Sequence, residues 1–145
     1  MKGNQLLAVV SAAQLGAGLG GLALAIRRRH AFDIPCWHGQ ESAVGRDSLL
    51  MGTALSAPAA MLVTQAGATA VLLRRPDAAA PARVLGGLGA AMVAGYLLER
   101  LVRRRLHPSG WEAAESPVVI AGLSLAAAMA WLGLRAEEST GHERV

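Results

Sequence analysis

Cysteine is almost absent: Cys36 is the only one in 145 residues, so no disulfide can form within the chain and a stapled secreted scaffold is excluded. Aromatic side chains are as scarce, at 3% of the sequence. Packing therefore falls to aliphatic and small residues. Charge is the third shortage. Charged residues make up 17%, below the roughly 25% of an average globular domain, while hydrophobic residues reach 53%. Histidine is missing from every long apolar run, which disfavours a haem held between two intramembrane histidines. A lone cysteine and the lack of a close His-x-x-x-His spacing also argue against a common zinc site. No metal and no cofactor is expected.

What charge there is sits at the ends of uncharged runs. The net charge of +4 comes largely from arginines at those ends, including Arg27 to Arg29, Arg74, Arg75 and Arg103 to Arg105. Such placement suits anionic headgroups and topology signalling. Nucleic acid is not an expected partner, because no basic face with interleaved aromatics or recognition helix is present.

Four runs read as membrane-spanning helices, over residues 6–26, 49–73, 81–102 and 117–134. The first has no charge and stops at Arg27-Arg28-Arg29-His30; at about 1.5 Å per residue it can cross a core of about 30 Å. It is longer than the apolar part of a signal peptide, roughly 7–15 residues, and the arginines beyond it oppose translocation, so it is expected to be retained. Pro58 predicts a kink or locally opened backbone in the second run. The third has a short apolar part and places Glu99 near the headgroup boundary, one turn before Arg103. Ser116-Pro117 supplies a cap and a first-turn proline to the fourth. A soluble bundle would show a charged face at helical period, and these runs have none. The fold class expected is therefore all-α: one integral domain, a four-span transmembrane helical bundle.

An internal repeat is a further expectation. Arg27-Arg28-Arg29 followed by Trp37-His38-Gly39-Gln40-Glu41-Ser42 matches Arg103-Arg104-Arg105 followed by Trp111-Glu112-Ala113-Ala114-Glu115-Ser116, consistent with two repeated helical hairpins. Small residues recur every fourth position, at Ala13, Ala17, Gly21 and Ala25 and again at Gly87, Ala91 and Gly95. These rows predict close helix contacts within the chain or between copies, and Gln14, Ser56, Thr64 and Gln65 are candidates for bonds across helices.

Four spans put both termini on one side, side A, with the linker at 74–83. Side B receives the linkers at 27–48 and 99–117, and both triple-arginine clusters. The chain is thus expected to be a multi-pass protein of the cell membrane with side B cytoplasmic and the termini outside. Side B also gathers the ionisable candidates. His38 and Glu41, three apart, would share a face of a short helix and form an acid–base pair. Asp47, Glu99 and Glu115 complete the candidate acid–base set, with Trp37, Arg46, Tyr96, Arg100 and Trp111 as candidate substrate-binding residues. Glycines at 86, 87 and 89 superficially suggest a phosphate loop, but they lie inside an apolar helix.

Three function classes follow. The first is a small membrane enzyme performing a proton-driven isomerisation, hydration or cyclisation on a lipid-like or isoprenoid-like molecule at side B. A noncatalytic membrane subunit or assembly partner is the second, with membrane lipid, another membrane protein or further copies of the chain as partners. A small transporter is the third, disfavoured because midspan positions carry no charge.

Overall fold

The computed structural model describes residues 3–28, 33–34, 37–38 and 57–141. These are helical almost throughout. Helix α1 runs Gly3–Arg28, α2 Ala59–Arg74, α3 Ala79–Leu98, α4 Arg100–Leu106 and α5 Ser116–Gly141, with a 3-10 turn at Pro108–Gly110. One short antiparallel pairing joins β1, Asp33–Ile34, to β2, Trp37–His38. Three helices are long and apolar enough to cross a membrane: Gly3–Arg28, Ala79–Leu98 and the stretch Ser116–Ala136. Helix α2 has 16 residues. At about 1.5 Å per residue it measures about 24 Å, short of the roughly 30 Å hydrocarbon core.

The second run has its described helix from Ala59, with Pro58, at φ −51 and ψ 143, as the N-cap. Residues 49–56 of that run lie outside the described residues. The third run does not continue to Val102: Glu99 adopts φ −71 and ψ 124, which closes α3 at Leu98 and starts α4 at Arg100. Neither proline nor glycine makes this break. Instead Arg103 Nη1 donates to the carbonyls of Leu97 and Leu98 at 2.6 and 2.7 Å, so a guanidinium takes over carbonyls that the next helical turn would have bonded. Arginines at the end of α1 complement its dipole in the same sense.

Helix α1 packs on α2, α2 on α3, α3 on α5 and α5 on α1. Adjacent helices are antiparallel. Asn4 near the start of α1 donates to Pro76 O just past the end of α2 at 2.7 Å, while Arg28 at the end of α1 reaches Glu115 beside the start of α5. The start of α1 and the end of α5 therefore lie at one end, end A; Arg28, Glu99, Arg105 and Glu115 mark the other, end B.

Which residues face inward follows an alternation of three and four. The buried series is Leu7, Ser11, Gln14, Gly18, Gly21, Ala25 on α1 and Leu62, Gln65, Thr69, Leu72 on α2. Helix α3 continues the pattern with Ala82, Leu85, Gly89, Met92, Tyr96, and α5 with Val119, Gly122, Ala126, Met129, Gly133. A mean step of 3.5 is the seam of a left-handed bundle with shallow crossing angles of about 20°. The every-fourth rows divide between inside and outside: Gly21 and Ala25 on α1 are buried, whereas Ala13 on α1 and Gly87, Ala91 and Gly95 on α3 are exposed.

The tightest contact lies between α3 and α5. A Cβ at Gly89 would stand 2.6 Å from Ala130 N and 2.7 Å from Ala126 O, and one at Gly133 would overlap the Gly86 backbone. Tyr96, 7% exposed, lays its ring on Gly122. Backbone approach of this kind gives dispersion and Cα–H contacts where lipid offers no hydrophobic drive.

Candidate functional site

End B is an interlocked set of arginines and glutamates. Glu115 is fully buried. Its Oε1 accepts from Arg28 Nη1 at 2.7 Å, and its Oε2 accepts from Arg105 Nε at 2.7 Å. One carboxylate therefore ties the end of α1 to α4 at the foot of α5. The inward seam explains the meeting. Four before Val119 is Glu115, which is buried, and three beyond Ala25 is Arg28, whose exposed side chain reaches it from the same bundle end.

Glu112 extends the network. Its Oε1 lies 3.3 Å from Arg28, and its Oε2 accepts from the amides of Ala114 at 3.1 Å and Glu115 at 2.7 Å, capping the entry to α5. Desolvation pushes the Glu112 carboxyl upward, but the Glu115 amide, the Arg28 guanidinium and the Ala114 amide outweigh it and hold the group below its ordinary 4.5. Ser116 is the first residue of α5 rather than its cap: its Oγ accepts from Glu112 N at 3.0 Å and donates to Arg105 O at 3.3 Å. Gly110 lets the chain fold back over α4, since a Cβ there would collide with the Arg104 carbonyl. Its own carbonyl accepts from Arg105 Nη1 at 3.0 Å.

Glu99 is 5% exposed and stands at the break, with Oε1 3.5 Å from Leu101 N. The expected pairing with Arg103 along one helix is replaced by that capping contact and by the Arg103 bonds to Leu97 and Leu98. Arg100 is exposed, and Trp111 is 58% exposed on the surface, so neither is enclosed with Tyr96 in the α3–α5 contact. His38 belongs to β2, with Asp33 as its partner in register, which overturns the short helix proposed for it. Strand β1 lies against α4, so the first B-side linker does approach the Glu99 end of the bundle. Glu41, Arg46 and Asp47 lie outside the described residues. The repeated Trp-x-x-x-Glu-Ser motif takes two local forms, since Trp37 is in a strand and Trp111 follows a 3-10 turn.

Two further polar places lie away from end B. At the middle of the bundle, Gln65 Nε2 donates to Gln14 Oε1 at 2.8 Å and Ser11 O at 2.9 Å, and Ser11 Oγ meets Thr69 Oγ1 at 2.7 Å. Gln14 and Gln65 thus bond across helices as expected, whereas Thr64 returns to Ala60 O on its own helix and Ser56 lies outside the described residues. Ser11 and Thr69 were not singled out in the sequence, and the three-four phase of Leu7 and Leu72 would have placed them inward. At end A a half-open cleft of about 360 Å³ is lined by Asn4, Asp77, Leu132 and Arg135 among others. Arg135 stacks over the Trp131 ring, 4.2 Å from its centroid, as an interfacial aromatic can. Among the described residues no three His, Cys, Asp or Glu side chains cluster as metal ligands would.

Comparison with protein-family models, with curated proteins and with solved structures gives no match to any of them.

Proposed function

We propose that this chain is a noncatalytic membrane subunit: a four-span bundle that holds the helix of a membrane-protein partner against the outer face of α3. The observation that carries this reading is the composition of that face. Between Val84 and Leu97 its exposed positions are Gly87, Ala90, Ala91, Ala94 and Gly95, and nothing lies within 4 Å of where a Cβ would stand at Gly87 or Gly95. Gly16, Gly20 and Gly67 are as open, but Val9, Leu19 and Ile26 on α1 and Val63 and Val71 on α2 stand among them, whereas α3 exposes only glycine and alanine from residue 87 to 95. A glycine-alanine groove admits a second backbone more closely than a leucine surface does, and close approach is what drives helix association in lipid. The acidic groups Glu112 and Glu115 are meanwhile committed to joining the chain's own helices.

In this reading α2 is the fourth span, end B faces the cytoplasm with its arginines, and end A faces outward. Thiol labelling tests the arrangement. In a Cys36→Ser background, Ser109→Cys should react from the cytoplasmic side and Ala80→Cys from the opposite one; reaction of both from one side would remove α3 as a span.

One observation favours a second reading, acid–base chemistry on a lipid-like or isoprenoid-like substrate. Glu99 is a buried carboxylate at a break in a spanning helix, and such groups mark functional positions in membranes. Native mass spectrometry after gentle extraction separates the two. A stoichiometric protein partner that is lost in Gly87→Leu/Gly95→Leu supports the subunit. A lipophilic small molecule retained by the isolated chain and lost in Glu99→Gln supports the enzyme, and a partner unaffected by the glycine changes would refute the α3 docking face.

A further inference from the structure

The middle of the bundle carries an unfinished hydrogen-bond pattern, independent of the docking face. Gln14 is 1% exposed and Gln65 is fully buried, each near the midpoint of its helix. Donors can be assigned around them. Thr69 Oγ1 donates to Gln65 O at 2.7 Å, so the Ser11 hydroxyl must be the donor in its 2.7 Å contact with Thr69. One hydrogen of Gln65 Nε2 goes to Gln14 Oε1, and the other is shared by Ser11 O at 2.9 Å and Ser11 Oγ at 3.2 Å. Gln14 Nε2 and Gln65 Oε1 are then left without a partner in the protein.

Turning the amides does not remove this remainder. Exchanging O and N of Gln65 alone would press three acceptors together, at Gln65, Gln14 and Ser11. Exchanging both amides would pair Gln14 Nε2 with Gln65 Oε1 but set that oxygen against Ser11 O, and again leave one amino group and one carbonyl over. Two amides could satisfy each other only as a closed pair with both bonds made, and here only the bond from Gln65 Nε2 to Gln14 Oε1 is made.

We propose that the Gln14–Gln65 pair is a binding site for one water molecule at the middle of the bundle. The remainder selects the ligand. An anion would need donors only and a cation acceptors only, whereas one leftover donor and one leftover acceptor call for a neutral group that accepts from Gln14 Nε2 and donates to Gln65 Oε1. Both atoms are closed to the outside, with less than 1 Å² of accessible surface each, which favours water over the hydroxyl of a lipid-like molecule. A buried water with polar partners in this position completes the tie between α1 and α2.

The test uses the full chain with ¹⁵N-labelled glutamine in phosphatidylcholine nanodiscs, read by solid-state NMR transfer of magnetisation from water and from lipid protons. The Gln14 side-chain amide is expected to receive magnetisation from water on the timescale of exposed Gln5, despite its burial. In Gln65→Met, with helicity checked by circular dichroism, that transfer should be lost. A Gln14 amide silent to water, or one reached from lipid protons alone, overturns the proposal. Should Gln65→Met fail to fold, the measurement on the unmodified chain decides by itself.

Discussion

Alanine at both Arg28 and Arg105 is expected to destabilise the bundle by more than the two single replacements added together. Each guanidinium alone leaves Glu115 with the other, and both are partly exposed, with side chains 38% and 18% accessible, so each single change should cost much less than half of what the pair costs. Without both, a fully buried carboxylate loses two of the hydrogen bonds that offset its desolvation, and the loss should approach about 3–5 kcal/mol. Adding Glu115→Leu to the double variant should then restore part of the stability, because it removes the buried charge itself. Reversible unfolding in mixed SDS micelles of the unmodified chain, the two single variants and the double gives the cycle, with the triple variant measured beside them. Strictly additive single costs, or a triple variant less stable than the double, would show that Glu115 is not the hub of end B.

That hub was half legible in the sequence. Runs of uncharged residues fixed where helices could lie, and the end-to-end order of the linkers placed Arg28, Glu99, Arg105 and Glu115 at one end. Their partners were not legible from spacing along one helix. Glu99 and Arg103 look like a one-turn pair only if the helix continues, yet Arg103 instead holds the carbonyls of Leu97 and Leu98. The better signal was the alternation of three and four. Extending it by one step from Tyr96 and back from Val119 reaches Glu99 and Glu115, so their burial follows from phase, and one step beyond Ala25 is the exposed Arg28 that reaches in to Glu115. Every-fourth rows of glycine and alanine could not say which helix they meet, because the chain is rich in both and a row can face outward as readily as inward. The break at Glu99 had no proline or glycine to announce it, being made by side-chain capture of carbonyls.

Valine at Gly89 or Gly133 is expected to be among the most damaging single changes in the membrane-embedded part. The atoms that a new Cβ would meet are backbone: Ala130 N at 2.6 Å and Ala126 O at 2.7 Å for Gly89, and the Gly86 backbone for Gly133. A flexible side chain can swing aside, but a helical backbone in hydrogen-bonded register moves only as a rod. Relief therefore requires α3 and α5 to separate along the contact, which also lifts Tyr96 from Gly122 and disturbs the foot of α5 where Glu115 is clamped. Overpacking of a well-filled core typically costs about 1–3 kcal/mol, and a backbone clash shared along a whole helix pair belongs at or above the upper end of that range. Gly87→Val is the control on the same helix, since nothing lies within 4 Å of its Cβ position, and it should change the unfolding of the isolated chain by no more than the loss or gain of helix propensity, under about 1 kcal/mol. Unfolding of the three variants in the same micelles, beside the unmodified chain, gives the comparison. Equal effects at Gly87 and Gly89 would mean that α3 does not present its Ala82, Leu85, Gly89, Met92, Tyr96 face to α5, and the three-four seam assigned to that helix would have to be abandoned.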